Sequence, residues 1–332
     1  MLKLFPVAYI VLGVFFVICD PCTIMAAASE NRLPPYLREA FLRQDPTGQG
    51  TFHRIGMLRE NADAVAAAEK TGEQETTKAT DKSFIEALSD ITTFQIRGNT
   101  MYFGSDNILN TRDNPVSDHQ IAEFLGASMN FSFNENWKLN NSFDQAFFRH
   151  GKKENEENDF NTTTFRSSLS YDRLILDNSA IVTIPLTIQY SSLHNEESGD
   201  RILDTVSYSS GFDLAFFPKP WLIPTFSYVY TFQKPDVGSD KHKHDFNLGV
   251  TFIPFTGEKF FVIPSVQFSH EDFTDGQRND QAWTPTYTMS WQPLDFLAFD
   301  AVASYTDSRS NQSENSFDAL TGTLFARLFW NW

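Results

Sequence analysis

From Thr92 onward the chain alternates apolar with small polar residues, and it does so in one segment after another. In "AIVTIPLTIQY" one face carries Val182, Ile184, Leu186, Ile188 and Tyr190, and the other carries Thr183, Pro185, Thr187 and Gln189. "FNLGVTF" sets Phe246, Leu248, Val250 and Phe252 against Asn247, Gly249 and Thr251. "LIPTFSYVYTF" and "WTPTYTMSW" divide in the same way. A period of two is the mark of a strand whose two faces meet unlike surroundings. Few folds satisfy that demand so many times in a row.

Twelve such segments begin near residues 93, 122, 136, 162, 180, 204, 221, 244, 259, 282, 296 and 317. Their connections alternate in length. Short turns ("NENW", "DRLILDN", "PKPW", "FTGE", "QPLD") follow the even-numbered segments, and longer polar stretches such as "RHGKKENEENDFN" and "QKPDVGSDKHKHD" follow the odd ones. Short turns on one rim and long loops on the other predict an all-β chain, a twelve-stranded antiparallel transmembrane β-barrel over residues 92–332. A soluble β-sandwich also alternates, but its wet face should carry many Lys and Glu. Here that face is mainly Ser, Thr, Asn, Gly and Gln, and the charges gather in the connections. The 33 Phe, 10 Tyr and 6 Trp fit a lipid-facing wall. Trp137, Trp221, Trp291, Trp330 and Trp332, with Phe216 and Phe260, fall at segment ends, where aromatic girdles at the two bilayer interfaces are expected.

The final residues, "TLFARLFWNW", are unusually apolar for a terminus. Alternation puts Leu324, Ala326, Leu328, Trp330 and Trp332 on the lipid side, with Thr323, Phe325, Arg327 and Phe329 on the other. This tail resembles the terminal strand of bacterial outer-membrane β-barrel proteins, which ends in an aromatic residue; most members end in Phe, where this chain has Trp332. The resemblance implies outer-membrane lipid as the surroundings and the barrel-insertion machinery as a partner during assembly. It identifies a superfamily and no particular activity.

Ahead of the barrel, residues 1–28 read as a signal peptide: a basic start at Lys3, an apolar run from Leu4 to Ile18, and Ala26 to Ala28 before the cleavage point. That run is shorter than a spanning helix requires. Cys19 and Cys22 are the only cysteines, so a processed chain has no disulfide and no thiolate site. Residues 29–91 are polar and rich in Ala, Glu, Lys and Thr without a sustained apolar face, which reads as a periplasmic linker, partly helical or disordered. A net charge of -16 argues against nucleic acid as a partner.

On the face assigned to the lumen, Arg97, Lys138, Asp144, Arg166, Asp213, Asp245, Asp300 and Arg327 interrupt the small polar residues. Charges there need water or opposite partners. A mildly selective polar pore is one reading, and a set of ion pairs that stiffen the wall is the other. Outer-membrane phospholipase A is also a twelve-stranded barrel, with a Ser-His-Asn site on its outer wall and its His and Ser two apart on one strand; no His-x-Ser occurs here. No catalytic site is assigned. "KHKHD" would turn His242 and His244 to one side near Asp240, but without a clear third and fourth ligand it marks solvated rim residues, so no metal or other cofactor is assigned. The expected function is a passive channel for small polar solutes. Twelve-stranded channels for nucleosides or acidic oligosaccharides are natural analogues by resemblance, although the mixed signs do not make the basic ladder an acidic oligosaccharide would need. The alternatives are a non-conducting barrel that serves structure or binds a partner, and a lipid hydrolase.

Overall fold

The computed structural model describes residues 92–331 apart from short stretches at 108–114, 116, 135, 153–158, 177–178, 197, 220, 254–259 and 295. The expected signal peptide, the linker and Trp332 lie outside the described residues. Twelve strands follow one another: β1 Thr92–Ser105, β2 Asp118–Ser132, β3 Trp137–His150, β4 Phe160–Ile175, β5 Ala180–Asn195, β6 Arg201–Phe216, β7 Leu222–Pro235, β8 Lys241–Phe252, β9 Phe260–Phe273, β10 Asn279–Leu294, β11 Leu297–Ser310 and β12 Phe317–Asn331. Every strand pairs antiparallel with its neighbours in sequence, and β1 closes on β12 from Gln95↔Asn331 to Ser105↔Thr321. Closure leaves no unpaired edge, which is the condition for a sheet to lie in lipid.

The alternation read from the sequence becomes an inside and an outside. On β2 burial switches at each residue: Gln120, Ala122, Phe124 and Ser128 are buried, whereas Ile121, Glu123, Leu125 and Ala127 are exposed. Paired residues share a face, so the register carries this assignment round the ring, from Phe124↔Ala146 through Ala146↔Thr162 and onward. Following the pairs once round from Arg97 returns to β1 about 18 residues further along, a stagger well above the strand number that tilts the strands strongly and widens the barrel.

Strand starts agree with the sequence reading to within four residues. The connections differ more. "HNEESGDR" and "QKPDVGSDKHKHD" shrink to loops at 196–200 and 236–240, because the flanking polar residues continue the ladder. His194 still pairs with Arg201, and Lys241 and His242 with Gln233 and Phe232. Charge in a sequence therefore marks where strands leave the lipid and does not mark where pairing stops.

Candidate functional site

Outside, the wall is apolar. Phe94, Ile96, Leu125, Phe143, Ile184, Leu186, Ile188, Leu248, Met289, Leu320, Leu324 and Leu328 are all exposed, an area that only lipid can cover. Trp137, Trp221, Trp291 and Trp330 point outward, and all stand at the short-turn ends of their strands, as do Phe216 and Phe260. These residues make one girdle, where their places at segment ends predict two. The other rim is marked by aromatics inside the segments, among them Tyr102, Tyr190, Tyr208, Phe232, Trp283 and Tyr305. Segment ends misled because the strands overshoot the bilayer on the loop side.

Inside, the ring of charges resolves into pairs. Arg97 grips Asp144 with a fork: Nη2 donates to Oδ1 at 2.7 Å and to Oδ2 at 2.9 Å, and Nε donates to Oδ1 at 3.1 Å. The two residues lie on β1 and β3, and the pair crosses β2 over Gly126, the one residue type whose missing side chain leaves room. Arg327 of β12 holds Asp300 of β11 in the same way, with Nη2 donating to Oδ1 at 3.0 Å. The antiparallel pairs Arg97↔Phe329 and Asn99↔Arg327 set the two forks on adjoining strands. Lys138 meets Asp172 at 3.0 Å near the turn rim, where Asp172 also accepts from the Thr183 hydroxyl. Arg166 is different: its Nε and Nη2 both donate to the neutral Gln189 Oε1, at 2.8 and 2.6 Å. Asp213 faces inward, paired in register with Thr183 and Ser227. Asp245 accepts from Gln267 and Ser269 and lies 3.3 Å from Lys243. Of the eight predicted lumen residues, the structure therefore joins two couples, and Lys138, Arg166 and Asp245 meet partners outside that set.

Two inward features were missed. Toward the loop rim, β8 and β9 carry a second ionic cluster in which Lys241 meets Glu271 at 3.0 Å with both side chains nearly buried, and Lys243 lies between Glu271 and Asp245. Period two would have assigned Lys241, Lys243 and Glu271 to the lumen, but they sit in stretches read as loop. Across the barrel part of the inward face is apolar. Met101, Ala122, Phe124, Ala146, Phe148 and Phe325 form a buried cluster, with Phe103, Phe160 and Val302 packed against it. Every one of them lies on the inward face of β11, β12 or β1 to β4. Phe124 and Phe148 meet edge to face at 5.6 Å, and Phe148 stacks on Phe160 at 4.6 Å. The expectation of an evenly polar lumen is corrected here. At these positions the face opposite the lipid is also apolar, so alternation in hydrophobicity fades there and the register separates the sides.

No family model matches the chain, and no curated protein matches its sequence. Solved structures do resemble it. An outer-membrane channel from Pseudomonas putida F1 aligns over 76% of this chain and 100% of its own at 10% identity, with a TM-score of 0.51. The NanC porin aligns over 71% and 98% at 11% identity (TM-score 0.42), and the translocator domain of the autotransporter NalP from Neisseria meningitidis over 84% and 97% at 10% identity (TM-score 0.40). The chain has the outer-membrane β-barrel fold.

On the outer wall of this barrel, His242 and His244 do face one side together. Their Nδ1 atoms bond the hydroxyls of Tyr230 and Tyr228 at 2.6 and 3.0 Å, and His270 lies against Asp272 at 3.0 Å. Among the described residues no group of three or more potential ligands could hold a metal ion. A Ser-x-His pair, the reverse of the order sought, joins Ser192 Oγ to His194 Nε2 at 3.1 Å. The Ser192 hydroxyl donates to Asp204 at 2.6 Å, and Asp204 is held by Arg201 at 2.9 Å. In a nucleophilic triad the acid orients the histidine, which accepts the serine proton. Here the proton is committed to the carboxylate and the serine is buried.

Proposed function

We propose that the barrel is a passive channel for small solutes across an outer membrane, with the turn rim and the preceding segment on the periplasmic side. The observation that carries this reading is solvent contact deep in the lumen. Arg97 and Arg327, well inside their strands and pointing inward, keep side-chain exposures of 19% and 22%. Water reaches them through a ring that the large stagger holds wide. Opposed Arg and Asp groups at that level make a polar waist that orients a solute as it passes. The arrangement of Ser192, His194 and Asp204 supports a role without catalysis, and the terminal strand fits recognition by the insertion machinery.

The test is single-channel recording of the refolded full chain in a planar bilayer. Steady, ion-selective steps are the expected result. A folded, heat-modifiable barrel that passes no current would defeat the proposal. It would favour the second reading, a closed barrel that binds a partner, which the buried Phe124, Phe148 and Phe325 support.

A further inference from the structure

One titratable cluster stands apart from the lumen, on the outer wall. Along the outward face of β8 to β10 the apolar residues stop at one level, the row Phe246↔Phe268↔Trp283, whose neighbouring rings lie 6.2 and 4.8 Å apart. Aromatic side chains so placed mark the edge of the hydrocarbon. The next row toward the loop rim is His244↔His270↔Gln281, and the one after it is His242↔Asp272↔Asn279. Three histidines and one carboxylate therefore form a block two strands wide, on the wall that lipid covers and at the height of the headgroups. The block is open to its surroundings: His242 and His244 are half-buried, and the His270 and Asp272 side chains are 27% and 49% exposed.

On β9, His270 Nε2 lies 3.0 Å from Asp272, so a charged His270 only cancels its neighbour. On β8 the rings turn to tyrosine: Nδ1 of His242 meets the Tyr230 hydroxyl and Nδ1 of His244 meets that of Tyr228. In a charged imidazole both nitrogens carry protons, so Nδ1 donates to the tyrosine oxygen and Nε2 keeps a donor for an anion. The other charges around the block are few. Lys234 of β7 stands one outward position beyond Phe232, the partner of His242, and Arg309 of β11 pairs across Gln281 while bonding Asp307 at 2.6 Å. Asp240 and Asp275 belong to the rim loops, β10 supplies the neutral Gln281 and Asn279, and Lys241, Lys243, Asp245 and Glu271 alternate with the block on the inward face. Carboxylates, phenols and amines ordinarily keep their charge near neutral pH, whereas imidazole changes its own between about pH 5 and 8. With neutral imidazoles the block carries the one negative charge of Asp272. With all three charged it carries two positive charges, both on β8.

We infer that this block binds the phosphate of an anionic lipid headgroup when its histidines are charged, so that the grip of the loop-side leaflet on the barrel strengthens with acidity. A lipid is the occupant because the two rows continue the wall that acyl chains cover. A headgroup held by His242 and His244 keeps its own chains against Phe246 and Phe268 in the row below. The inference requires the barrel to stand in a membrane and is independent of whether the lumen conducts.

Trp283, beside Phe268 at the foot of the block, is a built-in reporter. The full chain is refolded into phosphatidylcholine vesicles that contain either brominated phosphatidylglycerol or brominated phosphatidylcholine. The quenching that belongs to Trp283 is the difference between the unaltered chain and Trp283→Phe. The preference for the phosphatidylglycerol probe is expected to rise about fivefold between about pH 7.5 and about pH 5.5, the effect of one cationic side chain at an anionic surface. Raising the salt concentration should shrink that gain. The double variant His242→Gln, His244→Gln should show no gain, and the comparison of the two pH values in the unaltered chain does not depend on that variant folding. An equal preference at both pH values overturns the inference, and so does a gain that survives in the double variant.

Discussion

Gly126→Ala offers the sharpest test of the lumen geometry. An alanine methyl there would land on Asp144 Oδ1, 2.8 Å from Arg97 Nε and 3.2 Å from Arg97 Cγ, so the ion-pair fork that crosses β2 must open. Asp144 is only 3% exposed, and losing the partner of a buried charge costs about 3–5 kcal/mol. Arg97 keeps some contact with lumen water and Asp144 can shift part of the way with it, which brings the expected loss to about 2–4 kcal/mol. On backbone grounds alone the substitution should help, since Gly in a strand interior costs roughly 0.5–1 kcal/mol relative to Ala. Gly104→Ala supplies the control: it lies on β1 facing lipid, with nothing within 4 Å of the added carbon, and should be neutral or slightly stabilising. Urea unfolding of the refolded barrels in lipid vesicles, followed by tryptophan fluorescence, measures both. In an Asp144→Ala background, Gly126→Ala should lose most of its cost, and that coupling assigns the effect to the fork. Equal unfolding midpoints for Gly126→Ala, Gly104→Ala and the unaltered chain would refute the placement of the Arg97 and Asp144 pair over β2.

Asp300→Asn removes the carboxylate that Arg327 grips between β11 and β12 and should lower stability by about 1–3 kcal/mol, read as a drop in the temperature at which the folded band on a semi-native gel converts to the unfolded one. In single-tryptophan variants, Trp137, Trp291 and Trp330 should be quenched together from one depth by brominated lipids, and Trp283 from the other leaflet; equal quenching of all four would contradict the girdle positions. Asp275, in the exposed 274–278 loop, is held below the usual carboxylate range by the Ser239 hydroxyl and then the Gln277 amide. Its folded-state value is the lower one, so the tie between the 236–240 and 274–278 loops is fully present above the ordinary carboxylate range and is lost as pH falls through the depressed value. Amide exchange at Gln277 should therefore stay slow at mildly acidic pH and quicken only in stronger acid, whereas Asp275→Asn should exchange fast throughout.

The fold was legible because lipid imposes its pattern on every strand. Residues such as Ile184, Leu186 and Ile188 must be apolar wherever the barrel stands in the membrane, and the alternation they create survives in the bare sequence. Inward charges such as Asp144 and Asp245 broke that alternation visibly and so were found. Their pairing was not, because Arg97 and Asp144 are 47 residues apart and meet only through the register of β1, β2 and β3.

The sequence by itself determined the number of strands, their antiparallel order, the face presented by residues where apolar and polar alternate, and the rims of short and long connections, since these depend on local periodicity and on turn chemistry. Only the tertiary structure decided which charges neutralise each other, that Arg166 meets a neutral amide, and that Phe124, Phe148 and Phe325 gather on one inner wall opposite Lys241 and Glu271. Those relations depend on the stagger at which the ring closes. Stagger is a property of all twelve pairings together, and no single segment carries it.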